Sequence, residues 1–445
     1  PTNAQKYTYS FWIKRCALID GSSEAFLLDG YADASNRAKI AFRSDKLFEI
    51  WNKDAGSNTF ALNPPRAFSD VSGWYHIVLS VDTTQATDTN RVKLYVNGVQ
   101  ETSLGSTTYP SQNDANNTIN ESGTTFSIMA YGGNAGSDDY RLDSYMSEIC
   151  FIDGTQYAAS DFGEFSEDSP TIWMPKDVSG LTFGDNGFYL DFEDSADLGA
   201  DASGNSNDLT ENNLDATDQA TDTPTNNFCT INPLDLAITG TAPTISQGNC
   251  LYTSSGAGAG SNNAIRSTIA VSNGKWYWES KWIQNATVWG MQNADAEPRW
   301  TDGYLFTTTG TWGIHTDGSK TVNGTQTSSV FTALSTNDIV GLAFDLDNGK
   351  FYMSVNGTFV TSGDPTSGAT GTGSLGDLTS GLSYMPVICN ANYDSASIAK
   401  MNFGGSPAFT VSSGNADGDG YGNFEYAVPS GYYALCTKNL GAYGG

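Results

Sequence analysis

The feature that most constrains the fold of this chain is a two-residue alternation of apolar and polar side chains. It runs through residues 7–16, 74–82 and 91–99, and it returns in residues 275–283 and 338–357, where Asn-Gly pairs follow the apolar runs. Alternate side chains of a strand point to opposite faces of a sheet, and Asn-Gly is a favoured hairpin turn. The pattern predicts antiparallel sheets that each bury one face, and helical periodicity is almost absent.

The two series of strands echo each other. WYHIVLSVD at 74–82 is followed by KLYVNG, and IVGLAFDLD at 339–347 is followed by FYMSVNG. Each is an apolar strand that ends in Asp, followed by a strand that ends in Asn-Gly. The repeat predicts two all-β domains of related architecture, each a jelly-roll sandwich of two antiparallel sheets.

The region between the two series is rich in Asp, Asn, Ser and Thr. We predict a packed connector with a few strands, because a connector of this length usually packs on its neighbours. GYYALCTKNL near the end of the chain predicts a last strand. The predicted division is a sandwich at 1–160, a connector at 161–236, a sandwich at 237–410 and a C-terminal extension at 411–445.

The charge of the chain excludes several classes of partner. It has 49 acidic against 21 basic residues, for a formal net charge of -28. Phosphate recognition needs clusters of Lys and Arg, so nucleic acid is excluded and anionic membrane surfaces are disfavoured. No apolar run approaches the length of a transmembrane helix, and we therefore expect no membrane insertion.

The cysteines do not form a metal or redox motif. None of the six belongs to a CxxC pair, which excludes a zinc ribbon and a thioredoxin motif. We expect buried thiols. The alternative to test first is a disulfide between Cys16 and Cys150, because both lie in apparent strands of the first module.

Little in the sequence points to catalysis. The two histidines, His76 and His315, lie in a strand and near a turn, and no G-x-S-x-G elbow frames a serine. Asp191 and Glu193 are the nearest local carboxylate pair for a glycan-degrading hydrolase, but a solvated turn explains them better. We predict that the protein is not an enzyme and needs no cofactor, and the hydrolase remains an alternative.

Calcium is the metal that the turns would suit. Oxygen-rich turns with glycine bind hard cations, and two such turns carry Asn415, Asp417 and Asp419, and Asp201 and Asn205. The first loop has Tyr426 where an EF-hand has Glu, and no helices flank it. Ordinary Asx turns remain the alternative for both.

Carbohydrate is the predicted ligand, because sugars stack on exposed aromatic rings while polar side chains bind their hydroxyl groups. The segment PRWTDGY falls between strands of the second module, and Trp289 and Trp312 are further candidates. Core packing is the alternative for each tryptophan. The candidate ligand-binding residues are Arg299, Trp300, Asp302, Tyr304, Trp289 and Trp312.

The first module resembles the laminin G-like (LamG) family of concanavalin A-like sandwiches, through YSFWIKR, WYHIVLSVD, VKLYVNGVQ and EICFIDG in residues 9–154. The second resembles the SPRY family, also concanavalin A-like, through GKWYWE, DIVGLAFDLDNGKFYMSVNG, MPVICN and KMNFGGSPAF in residues 274–409. The SPRY resemblance implies ligand-binding loops around Trp300. LamG modules usually have a strand before the YSFWIKR strand, so we expect that strand to be missing or supplied by another chain.

The whole layout resembles virion proteins of marine bacteriophages, in which the same two modules flank FYLDFEDSADLGADASGNSNDLT and PTNNFCTINPL, and LCTKNL follows. This resemblance implies a tail fibre, head fibre or decoration protein on the virion surface. Its partners would be other virion proteins and a host-surface glycan. Fibres are often trimeric, although no heptads indicate a homo-oligomer here. The alternative is a purely structural decoration of the capsid or tail.

Overall fold

The computed structural model describes residues 1–18, 24–115, 118–133, 140–167, 169–238, 241–254, 263–285, 287–296, 309–390 and 396–444, with the side chains of 237 and 238 excepted. Antiparallel sheets are the main regular secondary structure of the described chain, which confirms the predicted all-β class. The chain divides into two compact units, Pro1–Gln219 and Ala220–Gly445. The boundary between them falls inside the segment 161–236 that the sequence indicated as a connector.

The first unit contains fourteen strands among its described residues. In chain order they are β1 (Lys6–Arg15), β2 (Glu24–Tyr31), β3 (Arg37–Arg43), β4 (Phe48–Asp54), β5 (Ser57–Asn63), β6 (Tyr75–Asp82), β7 (Val92–Val96), β8 (Val99–Gln100), β9 (Ser106–Thr108), β10 (Thr125–Ile128), β11 (Ser144–Asp153), β12 (Gly163–Phe165), β13 (Trp173–Pro175) and β14 (Phe188–Leu190). Short 3-10 turns lie at Asp88–Asn90, Thr118–Asn120 and Ala159–Asp161.

Two six-stranded sheets form the sandwich of the first unit. Sheet A has the order β14-β11-β1-β6-β7-β8 and sheet B the order β10-β2-β3-β4-β5-β9, while β12 and β13 form a separate hairpin. Alternate side chains of both sheets, such as Tyr9 and Phe11 of β1 and Ile40 and Phe42 of β3, are fully buried in one core. The alternation seen in the sequence therefore becomes the inner layer of a sandwich.

The outer face of sheet A is covered by the segment that follows β11. Its side chains Phe162, Val178 and Phe183 pack on Val78 and Ile152 of the sheet. Strand β14, from the same polar region, pairs with β11 on the side away from β1. Much of the predicted connector is thus a second layer on the first sandwich, and it supplies an edge strand beside β11.

The second unit contains sixteen strands and one helix among its described residues. They are β15 (Ile231–Ile238), β16 (Thr244–Ser246), β17 (Leu251–Thr253), β18 (Asn263–Ser267), β19 (Lys275–Gln284), β20 (Thr287–Asn293), β21 (Thr311–His315), β22 (Lys320–Val322), β23 (Thr325–Thr327), β24 (Ile339–Asp345), β25 (Lys350–Val355), β26 (Thr358–Phe359), β27 (Gly376–Asp377), β28 (Tyr384–Asn390), β29 (Ile398–Asn402), β30 (Tyr433–Ala434) and α1 (Thr437–Tyr443). Further 3-10 turns lie at Val360–Ser362 and Pro365–Thr370.

The echo between the two halves of the sequence corresponds to a shared strand order. Sheet C is β15-β18-β28-β20-β21-β22-β23, and sheet D contains β16-β17-β29-β19-β24-β25-β26 with β27 and β30 beside it. The run β29-β19-β24-β25-β26 repeats the run β11-β1-β6-β7-β8 of sheet A. Positive φ angles at Asn97 and Gly98, and at Asn356 and Gly357, form the equivalent turns.

The end of the chain differs from the predicted last strand. β30 has only two residues, and the chain then turns into α1, the only α-helix in the described part. The helix is held by tertiary contacts: the amide of Asn439 donates to Asp417 (2.8 Å) and to the carbonyl of Ala434 (2.9 Å). The ring of Tyr443 stacks on Tyr433 at 3.7 Å. These contacts override the strand pattern of GYYALC.

All six cysteines are buried thiols, and Cys16 and Cys150 are among them. The structure therefore follows the expectation of thiols and not the alternative disulfide. Burial raises the pKa of the Cys150 thiol well above its ordinary value. Within the described residues, no helix has both the length and the apolar character needed to cross a bilayer.

A buried arginine in β1 offers a test of the first core. Arg15 is fully buried, with Nη1 donating to the Phe68 carbonyl (2.5 Å) and the guanidinium lying 4.2 Å from the ring centre of Phe42. Its Nε and Nη2 have no hydrogen-bond partner among the described residues, and burial lowers its pKa to about 10. We expect Arg15→Met to raise the free energy of unfolding by about 1 kcal/mol, because an apolar side chain removes a desolvated charge.

Urea unfolding of the purified chain measures this difference. Arg15→Ala is the matched comparison, and it should lower stability because it leaves a cavity. An Arg15→Met variant that is less stable than the wild type would contradict the prediction.

Candidate functional site

The ligand residues expected from the sequence do not form a site in the described structure. Trp289 and Trp312 are fully buried in the core of the second unit. The Trp312 ring packs edge-on against Tyr384, and its Nε1 donates to the carbonyl of Asp377 (2.9 Å). Neither ring has a face open to a ligand, so core packing is the correct interpretation of both. Arg299, Trp300, Asp302 and Tyr304 lie outside the described residues.

The side chains of the first candidate calcium loop form hydrogen bonds to backbone groups of the same unit. One carboxylate oxygen of Asp417 accepts the N–H groups of Asp419 and Tyr421 (3.0 Å each), and the other accepts the N–H of Ala434 (2.9 Å) and the amide of Asn439. Asp419 accepts the hydroxyl of Tyr443, and Asn415 donates to the carbonyl of Glu425 (2.9 Å). The loop therefore fastens the C-terminal segment to the second unit.

The second candidate loop behaves in the same way. Asp201 accepts the N–H groups of Tyr189, Ser203 and Asn207, and Asn205 donates to the carbonyls of Gly184 and Gly187. Burial opposes ionisation of Asp201, but these hydrogen bonds outweigh it and its pKa lies below the ordinary value. Among the residues that the structure describes, no group of three or more His, Cys, Asp or Glu side chains could hold a metal ion.

His76 and Ser10 meet in the outer layer of sheet A but cannot act as a nucleophile and its base. His76 Nε2 lies 2.8 Å from Ser10 Oγ, while Trp173 Nε1 donates to His76 Nδ1 (2.9 Å). Because Nδ1 accepts, the ring proton is on Nε2, and Ser10 is the acceptor. Burial lowers the pKa of His76 to about 3, so the ring is neutral. The pair is a structural contact.

The remaining candidates for catalysis also have structural positions. His315 Nε2 lies 2.9 Å from Thr321 Oγ1, and burial lowers the pKa of His315 to about 4. Asp191 and Glu193 follow the end of β14, where Asp191 accepts the N–H of Glu193 (3.0 Å) in a tight turn. This is the solvated turn that the sequence favoured over a carboxylate pair on a strand.

Sheet B carries a cluster that the sequence analysis did not single out. The core-facing residues of β3 and β4 include Ile40 and Ile50. The alternate residues of the same two strands point to the other face of sheet B. In the part of the chain that the structure describes, no layer like the one on sheet A covers that face. We call the following group the aromatic–cation face: Phe26, Tyr31, Arg37, Lys39, Trp51, Lys53, Tyr131 and Tyr140.

Arg37 is the centre of this face. Its guanidinium carbon lies 4.4 Å from the ring centre of Tyr131 and 4.9 Å from that of Phe26, and it also approaches Tyr31 and Trp51. Its Nε donates to Asp29 (2.8 Å), a fully buried carboxylate whose pKa is raised by burial. Cation–π contacts and this ion pair hold the rings in place.

Trp51 is the ring best placed to meet a ligand. It is half-buried, and its Nε1 donates to Glu49 (3.1 Å). Lys39 and Lys53 place their ammonium groups 5.0 and 4.6 Å from its ring centre. Tyr140, stacked on Phe26 at 4.6 Å, is 37% exposed at the border of the face.

The aromatic–cation face is therefore a fixed surface of rings bordered by charged hydrogen-bonding groups. The signal for it was present in the sequence: in FEIWNKD, Trp51 shares its two-residue phase with Glu49 and Lys53 and not with Phe48 and Ile50. A tryptophan in phase with charged residues lies on the outer face of its sheet.

The dependence of the free energy of unfolding on acidic pH tests the role of His76. The pKa of His76 is near 6.5 in the unfolded chain and about 3 in the folded protein. The stability that the neutral ring contributes is therefore fully present above pH 6.5, and it is lost as the pH falls from 6.5 toward 3. Between pH 7 and pH 5 the wild type should lose about 2 kcal/mol through this group. The stability difference between wild type and His76→Gln should narrow by that amount in urea unfolding. A difference that is independent of pH would contradict a buried neutral histidine.

Substitution of Asp417 distinguishes a structural role of this carboxylate from a role in calcium binding. We expect Asp417→Ala to lower the free energy of unfolding of the second unit by about 3 kcal/mol, because it leaves buried N–H groups without an acceptor. The loss should be equal in calcium and in chelator when measured by urea unfolding. Asp419→Ala is the control and should cost much less. A loss that disappears in chelator would show that Asp417 acts through a bound ion.

Comparisons with known proteins agree with the sandwich architecture. Residues 1–148 match the family Laminin_G_3, described as the Concanavalin A-like lectin/glucanases superfamily, which confirms the predicted LamG-like module. No curated protein matches the chain.

Solved structures that resemble the chain include two SPRY domains. The SPRY domain of human HERC1 is 13% identical, with a TM-score of 0.29 over 38% of this chain and 96% of that chain. The TRIM65 PSpry domain is 12% identical, with a TM-score of 0.30 over 39% and 89%. Stonustoxin is 17% identical, with a TM-score of 0.29 over 39% of this chain, which spans only 27% of that toxin.

Proposed function

We propose that this protein is a non-catalytic binding protein of a bacteriophage particle surface, and that its aromatic–cation face binds a host-surface glycan. The observation that carries the proposal is the half-buried Trp51 ring, held on the outer face of sheet B by Glu49 and bordered by Lys39 and Lys53. The concanavalin A-like match of residues 1–148 covers all four of these residues.

The chemistry of the face suits a sugar. The apolar side of a pyranose stacks on an indole or phenol ring, and Trp51 and Tyr140 offer such rings at the surface. Lys53 and Glu49 can donate to and accept from hydroxyl groups beside them. Since Arg37 and Asp29 already fix the neighbouring rings, little side-chain freedom is lost on binding.

The place on a virion rests on the sequence layout that resembles marine phage proteins. A net charge of -28 keeps such a surface soluble, and salt water screens its self-repulsion. Other virion subunits would be its fixed partners, and copies of the chain would form a homo-oligomer such as a trimer. Cryo-electron microscopy of the particle tests this location: a chain absent from the virion would overturn it.

A purely structural decoration role has one observation in its favour. Three apolar side chains near the β12–β13 hairpin are exposed: Val99 by 60%, Phe165 by 48% and Ile172 by 55%. The Trp173 ring lies between them, against Phe165 (4.9 Å) and against the turn at Gly98. Such a patch could contact another subunit. If it is buried in the particle while the aromatic–cation face is also covered, decoration is the better function.

The glycan-binding proposal predicts the effect of one substitution. Trp51→Ala should weaken binding to host glycan at least tenfold, because it removes the stacking surface. A glycan array of the purified chain, followed by calorimetry on the best ligand, measures the change. Trp51→Phe should retain part of the affinity.

Trp74→Ala is the matched control, because Trp74 is a half-buried tryptophan of the same unit that lies beside Tyr145 of sheet A. It should bind as the wild type does. An equal loss of glycan affinity in both variants would contradict the proposal. So would a wild type that binds no glycan in either calcium or chelator. New reducing ends from host polysaccharide would favour the hydrolase instead.

A further inference from the structure

A second concave site lies on the other sheet of the first unit. A cleft of about 370 Å³ opens beside β14, between the outer layer of sheet A and the turn that follows β14. This volume is in the range of small-ligand sites. Its lining includes Glu148, Lys176, Val178, Phe183, Tyr189 and Ser203.

The backbone aims Glu148 into this cleft. The register between β1 and β11 shifts between Ser10 and Trp12, and Glu148 lies in this bulge with a φ of +51°. A left-handed conformation is unfavourable for a residue with a Cβ, and bulges commonly redirect a side chain at functional sites. The hydroxyl of Tyr189 donates to the Glu148 carboxylate and holds it there.

Among the residues that the structure describes, no cation neutralises the carboxylate of Glu148. Burial raises its pKa and outweighs the hydrogen bond from Tyr189, which lowers it, and the nearby carboxylates of Asp191 and Glu193 also raise it. Within the described residues no ion pair joins Glu148 to a cation. Lys176 lines the same cleft, but its Nζ lies 3.5 Å from the carbonyl of Ser160. A ligand with a positive group would relieve this cost.

The aromatic wall of the cleft favours the same kind of ligand. Tyr189 and Phe183 lie with ring centres 6.3 Å apart and nearly parallel. A carboxylate beside an aromatic ring is the arrangement that recognises an organic ammonium group, through an ion pair and a cation–π contact. Ser179 and Ser203 also line the cleft, and the Ser203 hydroxyl, which donates to Asp201 (2.9 Å), is held in a fixed position there.

We propose that this cleft binds a small ligand with a protonated amine, of the amino-sugar class, through Glu148 and the ring of Tyr189. The site is separate from the aromatic–cation face and does not depend on its function. The ammonium group lies against the Glu148 carboxylate, and the sugar hydroxyls face the serines at the border.

Calorimetry and NMR titration with glucosamine test the proposal, with glucose and N-acetylglucosamine as matched neutral probes. The wild type should bind glucosamine at least tenfold more tightly than either neutral sugar. Glu148→Gln keeps the shape of the side chain and should abolish this preference. Glu164→Gln, at an exposed glutamate of β12, is the control and should retain it.

A second variant tests the cleft without a substitution at the bulge, where a change could prevent folding. Ala202 is exposed at the border of the cleft, so Ala202→Arg fills the entrance with a cation without disturbing the core, and it should abolish glucosamine binding. Equal affinity for glucosamine and glucose, no glucosamine binding by the wild type, or unchanged binding in Ala202→Arg would overturn the proposal. In the NMR titration, glucosamine should shift the resonances of Glu148 and Tyr189 and not those of Trp51, which separates this site from the aromatic–cation face.

Discussion

Burial of every second side chain between paired antiparallel sheets is the constraint on which this structure depends. Tyr9 and Phe11 of β1 face Ile40 and Phe42 of β3, and all four are removed from water. The same rule gives the second unit a core that contains four fully buried tryptophans. Hydrophobic burial provides the driving force, and strand pairing satisfies the backbone groups that are buried with it.

Once the inner faces are buried, the function of each sheet depends on what lies on its outer face. Sheet A receives a second apolar layer from the segment after β11, and the edge of this layer leaves the cleft over Glu148. Sheet B has no comparable layer among the described residues, and it presents rings and charges instead. Both proposed sites therefore arise from the outer faces of one sandwich, by different means.

The sequence predicted the strands well and the sites poorly, and Trp312 and Trp51 show why. Trp312 is a strand residue whose neighbours alternate cleanly, but only the packing of β21 against Tyr384 places it in the core. Trp51 was identifiable by its phase, whereas its contact with Lys39 depends on the register between β3 and β4. Glu148 could not be found, because the bulge that redirects it comes from a register shift between distant strands.

The sequence by itself determined the all-β class, the two related modules and their Asn-Gly hairpins, because these follow from local alternation and turn chemistry. The tertiary structure decided where the polar region after β11 packs, because its few apolar residues are buried only through contact with the outer face of sheet A. It also decided the short helix at the end of the chain, where Asp417 holds Asn439 from 22 residues away. Contacts between distant residues create these features, and no local pattern encodes them.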